Sequence, residues 1–157
     1  MIVVSDTSPL NYLVLIDLQH ILPELFERIL IPAAVRDELQ SAGAPEAIER
    51  FMAAAPAWLE TRQASDVDPK LQHLDRGERE VITLAASLSA GSVLIDERKG
   101  RLAARERGLA VSGTLGVLDL AARRGLVNLS EALRRLEGTT FRVSPRLIGL
   151  IKARESD

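Results

Sequence analysis

Short unbroken apolar runs alternate along this chain with longer stretches in which apolar residues return every three or four positions. Residues 2–5 are too few for a helix and too apolar to alternate, so they read as a buried strand. Thr7, Ser8 and Pro9 then supply capping and first-turn chemistry for a helix over Pro9 to Ile16. A second helix is expected around Leu18 to Phe26. Arg28 to Ile31 reads as a strand stopped by Pro32, which opens a helix carrying Glu38 and Leu39. Gly43-Ala44-Pro45 breaks that helix, and another follows from Pro45 to Ala55, with a strand over Trp58 to Arg62.

Ala64 to Lys70 is polar and reads as a loop. Gly77 to Leu88 has Val81, Leu84, Ala85 and Leu88 at the spacing of a buried helical stripe. Gly91 ends it, and Ser92 to Ile95 is the next buried strand. An Arg-rich helix over Lys99 to Arg107 is closed by Gly108, and a strand over Leu109 to Val111 follows. The helix from Leu115 to Arg124 is closed by Gly125. Further helices are expected from Ser130 and from Ser144-Pro145. Strands alternating with helices imply an α/β protein with a mostly parallel sheet and helices on both faces. The 157 residues suit a single domain, without internal repeat or low-complexity segment.

Composition narrows the chemistry. Only 3 % of the chain is aromatic, so Leu, Ile, Val and Ala must build the core, and a platform for stacking many bases is disfavoured. With no cysteine, thiolate zinc sites, disulfides and cysteine nucleophiles are excluded. No apolar run approaches the ~20 residues needed to cross a bilayer, and Met1 to Asp6 does not resemble a secretion signal. A cytoplasmic protein with no membrane partner is expected. The net charge of −2 hides an asymmetry. Residues 1–90 carry 14 acids and 7 bases, whereas residues 91–157 carry 8 acids and 13 bases. An acidic half able to hold cations lies beside a basic half able to hold phosphates.

The acids stand where apolar runs end or helices begin: Asp6 after the first strand, Glu38 after Ile31-Pro32, Glu78 and Glu80 before Val81-Ile82, and Asp96-Glu97 after Val93-Leu94-Ile95. In α/β folds the carboxyl ends of strands are where ligands bind. Carboxylates gathered there repel one another unless a cation sits among them, and hard oxygen ligands suit Mg²⁺ or Mn²⁺. Each residue also has an ordinary reading. Asp6 is a good helix cap, with Ser8 able to hold a carboxylate in place. Glu38 reads equally as an exposed helical residue. Glu78 and Glu80 lie roughly 200° apart on a helix, so both cannot aim at one point, and Glu80 falls nearer the apolar pair. Asp96 ends a mid-sheet strand, where an unpaired carboxylate is costly, and a salt bridge to Arg98, Lys99 or Arg101 is its alternative. His20 and His73 have no metal-ligand spacing. Lys70, Lys99 and Lys152 do not fall at a late strand end, which ranks a receiver-like regulatory domain last.

Five segments in order resemble the PIN-domain family of metal-dependent ribonucleases, in a branch similar to the toxins of VapC-type toxin–antitoxin pairs. They are residues 5–10, residues 31–39, residues 74–82, residues 94–101 and residues 113–118. The resemblance implies an acidic site of Asp6, Glu38, Glu80 and Asp96, with Glu97 the rival of Asp96, Glu78 the substitute for Glu80, and Ser8 in support. It also implies a three-layer α/β/α sandwich with a parallel sheet, Mg²⁺ or Mn²⁺, an RNA substrate, a homodimer, and a protein antitoxin. Arg98, Lys99 and Arg101, basic and beside the site, would steer the RNA backbone. A non-catalytic PIN-like module that binds RNA or protein is the alternative.

Overall fold

The computed structural model describes residues 1–142 and Gly149. The helix expected from Ser144-Pro145 lies outside the described residues. In chain order the elements are β1 (Ile2–Ser5), α1 (Thr7–Leu15), α2 (Ile21–Leu25), β2 (Arg28–Pro32), α3 (Ala33–Leu39), α4 (Glu46–Ala53) and β3 (Leu59–Arg62). There follow α5 (Arg76–Ser87), β4 (Ser92–Leu94), α6 (Arg98–Glu106), β5 (Ala110–Ser112), α7 (Thr114–Arg123) and α8 (Leu129–Glu137). The stretch expected as loop holds one short 3₁₀ turn, Pro69–Leu71, whose Lys70 N–H donates to the Asp68 carboxylate.

All strand pairs are parallel, in the order β3-β2-β1-β4-β5. Val3 faces Ile29 in one direction, and Val4 faces Val93 in the other. Val3, Val4, Ile29, Ile31, Val93 and Ile95 are fully buried, as strands covered on both faces require. Helix α5 packs on β1, β2 and β4 with α6 beside it, while α1 and α2 pack with α7. The α5 stripe of Val81, Ile82, Leu84 and Ala85 is buried as its periodicity demands. Gly108 and Gly125 take φ of +77° and +73° just past α6 and α7, the left-handed region where only glycine is unstrained.

The strand order reverses between β1 and β4, because the chain runs outward from β1 in one direction and from β4 in the other. Such a switch point opens a crevice at the carboxyl ends of its two strands. Asp6 leaves β1 there, its backbone N–H bonded to Leu94 O at 2.9 Å, and Asp96 lies two residues past β4. Two carboxylates from distant parts of the chain are therefore delivered to one place by sheet topology alone.

Candidate metal centre

Asp6 is both a cap and a buried acid. It is the N-cap of α1, with Oδ1 accepting from Thr7 N at 2.9 Å, yet only 8 % of it is exposed. Asp75 caps α5 in the same manner, its Oδ1 accepting from Glu78 N at 2.8 Å. That cap aims Gly77 and Glu78 at the crevice. A β-carbon added to Gly77 would lie 3.0 Å from Asp6 Oδ1, 3.3 Å from Glu38 Oε1 and 3.5 Å from Asp75 Oδ1. Three carboxylate oxygens thus surround the small space that this glycine leaves open.

Glu78 is 5 % exposed and packs its methylenes against Gly100 of α6, where a β-carbon would meet Glu78 Cγ and Cδ at 3.2 Å. Its charge is felt by Asp75, Asp6 and Glu97. Among the described residues Asp96 is held by neutral donors and forms no salt bridge. Ser8 Oγ and Thr114 Oγ1 each donate to Oδ2 at 2.7 Å, and Thr114 N donates to Oδ1 at 2.7 Å. Glu97 is exposed at the N-cap of α6.

Glu80 lies elsewhere. Its Oε1 accepts from Ala34 N at 3.1 Å and its Oε2 from Arg76 Nε at 2.9 Å, so both oxygens face α3 and the helix surface. The helical phase explains the difference. Val81 and Ile82 are three and four residues beyond Glu78, so Glu78 shares their buried face. The adjacency of Glu80 to that apolar pair points the other way. Asp75, Gly77 and Thr114 are the participants that sequence reasoning missed. The Asp75-x-x-Glu78 spacing is a capping pattern and a usable signal for the first.

A groove of about 1240 Å³ opens from Asp96 and Glu97 and is lined also by Arg98, Arg101, Arg142, Tyr12 and Phe141. Arg101 is half-buried and its Nη1 donates to Ile95 O at 2.9 Å, which fixes its guanidinium beside the acids. Lys99 is exposed and does not line the groove. Tyr12 and Phe141 meet edge to face with centroids 4.9 Å apart, and the Tyr12 hydroxyl is 2.8 Å from Thr140 Oγ1.

A family model described as a PIN domain matches residues 2–156, nearly the whole chain. The chain belongs to the PIN-domain family. PIN domains are typically nucleases and generally use divalent metal ions. No curated protein and no solved structure matches the chain.

The donor set of this PIN domain fits a hard divalent cation. The converging groups are carboxylate oxygens, and among the described residues Asp6, Glu38, Asp75 and Glu78 form no ion pair with lysine or arginine. Among those residues, no three acidic or histidine side chains are already drawn in as a cage.

The uncompensated charge has a measurable consequence. Burial pushes Asp6 from 3.8 up to about 7, with Asp75, Glu38 and Asp96 adding repulsion against the Thr7 hydrogen bond. Burial, then Asp75 and Asp6, pushes Glu78 from 4.5 up to about 7. Both groups hold a proton more tightly folded than unfolded. Their contribution to metal-free stability is therefore full below about pH 4, is lost as pH rises towards 7, and is flat above. Unfolding midpoints measured in chelator should fall across that window; midpoints rising steadily through it would contradict the assigned burial.

Proposed function

We propose that this PIN domain is a metal-dependent ribonuclease that hydrolyses RNA phosphodiester bonds and serves as the toxin of a toxin–antitoxin pair. The observation that carries the reading is the meeting of Asp6, Glu38 and Asp75 around the Gly77 space, with Glu78 and Asp96 beside them. Asp6, Glu38, Glu78 and Asp96 would hold Mg²⁺ or Mn²⁺, with Glu97 at the rim. Bound there, the ion would lower the pKa of a water molecule and offset charge building on the attacked phosphate.

The chain's own residues do the rest. Ser8 and Thr114 keep the Asp96 carboxylate oriented through three short hydrogen bonds. Arg98, Arg101 and Arg142 line the adjoining groove and neutralise the RNA backbone, with Lys99 adding charge at longer range. Burial behind α5 and α6 limits water around Asp6 and Glu78, which strengthens every electrostatic contact made there. A soluble cytoplasmic homodimer blocked by a protein antitoxin completes the reading. Among the described residues no helix is long and apolar enough to cross a membrane.

The open arrangement of the acids favours one competitor, a non-catalytic module that holds RNA or protein without cutting. Calorimetry with Mn²⁺ and a cleavage assay on RNA separate the two. Saturable Mn²⁺ binding and Mn²⁺-dependent cleavage that Asp96→Asn abolishes are expected. RNA binding without Mn²⁺ uptake at millimolar concentration would favour the non-catalytic module. Undiminished cleavage by Asp96→Asn would remove that residue from the chemistry.

A further inference from the structure

Helix α3 has seven residues and a poor start. Its N-cap is Pro32, which offers no side-chain acceptor, although the first N–H groups of any helix lack partners within it. Ala34 is 2 % exposed, so water does not readily serve its amide. The acceptor arrives from another helix: Glu80 Oε1 of α5, 3.1 Å from Ala34 N.

The other end of the same carboxylate is tied as well. Arg76 Nε lies 2.9 Å from Glu80 Oε2, and Arg76 Nη1 lies 3.3 Å from Asp37 Oδ2. The Glu80 side chain is 14 % exposed, so its bonds are far less open to solvent than those of a surface ion pair. Glu80 and Arg76 together brace α5 against both the first and the last turn of α3. Asp37 directly precedes Glu38, and Gly77 directly follows Arg76.

We infer that Glu80 is a positioning residue which caps α3 from α5 and thereby sets where Glu38 stands relative to Asp6 and Asp75. Glu38 is exposed, so packing does not confine its side chain, and the placement of α3 decides whether its carboxylate reaches the Gly77 space. Metal ligands tolerate only about ±0.2 Å, so a small drift of α3 takes Glu38 out of range. The inference rests on the proposed metal site for its functional meaning, but the brace itself is separately measurable.

The test compares Glu80→Ala, Glu80→Gln and Arg76→Ala in the full chain by Mn²⁺ calorimetry and by NMR amide exchange. Glu80→Ala should speed Ala34 amide exchange by roughly tenfold, as loss of one buried hydrogen bond does. It should also shift the Glu38 and Gly77 amide resonances. Mn²⁺ affinity should fall by about 10- to 100-fold, the usual effect of losing a partner that orients a ligand. Glu80→Gln keeps an oxygen for Ala34 but turns an NH2 towards Arg76, so it should restore the slow Ala34 exchange and recover Mn²⁺ affinity only to the level of Arg76→Ala. If Glu80→Ala does not fold, Arg76→Ala at the exposed end of the brace should still weaken Mn²⁺ binding and move the Glu38 resonance. Glutamine as damaging as alanine would make Glu80 a ligand or a required charge. An Ala34 amide unchanged in Glu80→Ala, or no shift at Glu38 in Arg76→Ala, would overturn the brace. If the unaltered protein takes up no Mn²⁺, the metal reading fails, and the amide measurements alone decide this inference.

Discussion

Asp6→Asn is expected to abolish RNA cleavage and, at the same time, to make the metal-free protein harder to unfold at neutral pH. The residue is nine-tenths buried, is repelled by Asp75, Glu38 and Asp96, and is raised to about 7. A shift of that size corresponds to at most about 4 kcal/mol of strain above pH 7. Asparagine removes the charge and keeps an oxygen for Thr7 N, so α1 retains its cap. Thermal midpoints in chelator should therefore rise at about pH 8 and change little near pH 4, where both forms are neutral. Cleavage with Mn²⁺ should drop on the order of 10²–10³-fold or more, the cost of losing one preorganised electrostatic group. Added Mn²⁺ should stabilise the unaltered protein but not the variant. A variant that gains no stability at pH 8 would refute the repulsion account, and one that still cuts RNA would remove Asp6 from the centre.

Gly77→Ala separates the helix from the site. Alanine is the better helix former by about 1 kcal/mol, so α5 should be retained or strengthened. The new methyl, however, would stand 3.0 Å from Asp6 Oδ1 and 3.3 Å from Glu38 Oε1, in the space the carboxylates surround. An apolar group there displaces the acids and keeps a cation from approaching them. Mn²⁺ affinity and cleavage should both fall, by about 10- to 100-fold, with an unchanged circular dichroism spectrum. Full activity in Gly77→Ala would show that the space between the three oxygens is not used.

Much of the fold is legible because it depends on local pattern. Val3 and Val4, Ile29 to Ile31, and Val93 to Ile95 are buried, and apolar runs this short read as central strands. The stripe of α5 is equally plain. Boundaries move by a residue or two where capping decides them: α5 begins at Arg76 because Asp75 receives Glu78 N, and α1 begins at Thr7 because Asp6 is its cap. The helix expected over residues 18–26 shrinks to Ile21–Leu25, with Asp17 at φ +59° interrupting the chain before it.

The centre is less legible because its decisive information is distant. Helical phase turns Glu78 inward rather than Glu80, but the room its side chain occupies is left by Gly100, in another helix. Thr114 is unremarkable in sequence and becomes important only because β5 ends beside β4, bringing its N–H and hydroxyl to Asp96. Ser8 reaches Asp96 across 88 positions. Asp6, at the end of the first strand, and Asp96, at the end of a mid-sheet strand, are the positions that sheet topology alone exposes.

The pairing of β1 with β4 also has a bearing on synthesis. A nascent chain that has emerged only as far as residue 90 already carries Asp6, Glu38, Asp75 and Glu78, but not the strand whose Leu94 carbonyl seats the Asp6 amide. Asp96 and the Thr114 that orients it come later still. Long-range strand pairing of this kind forms late. The acidic centre is thus incomplete while most of the polypeptide is still being made.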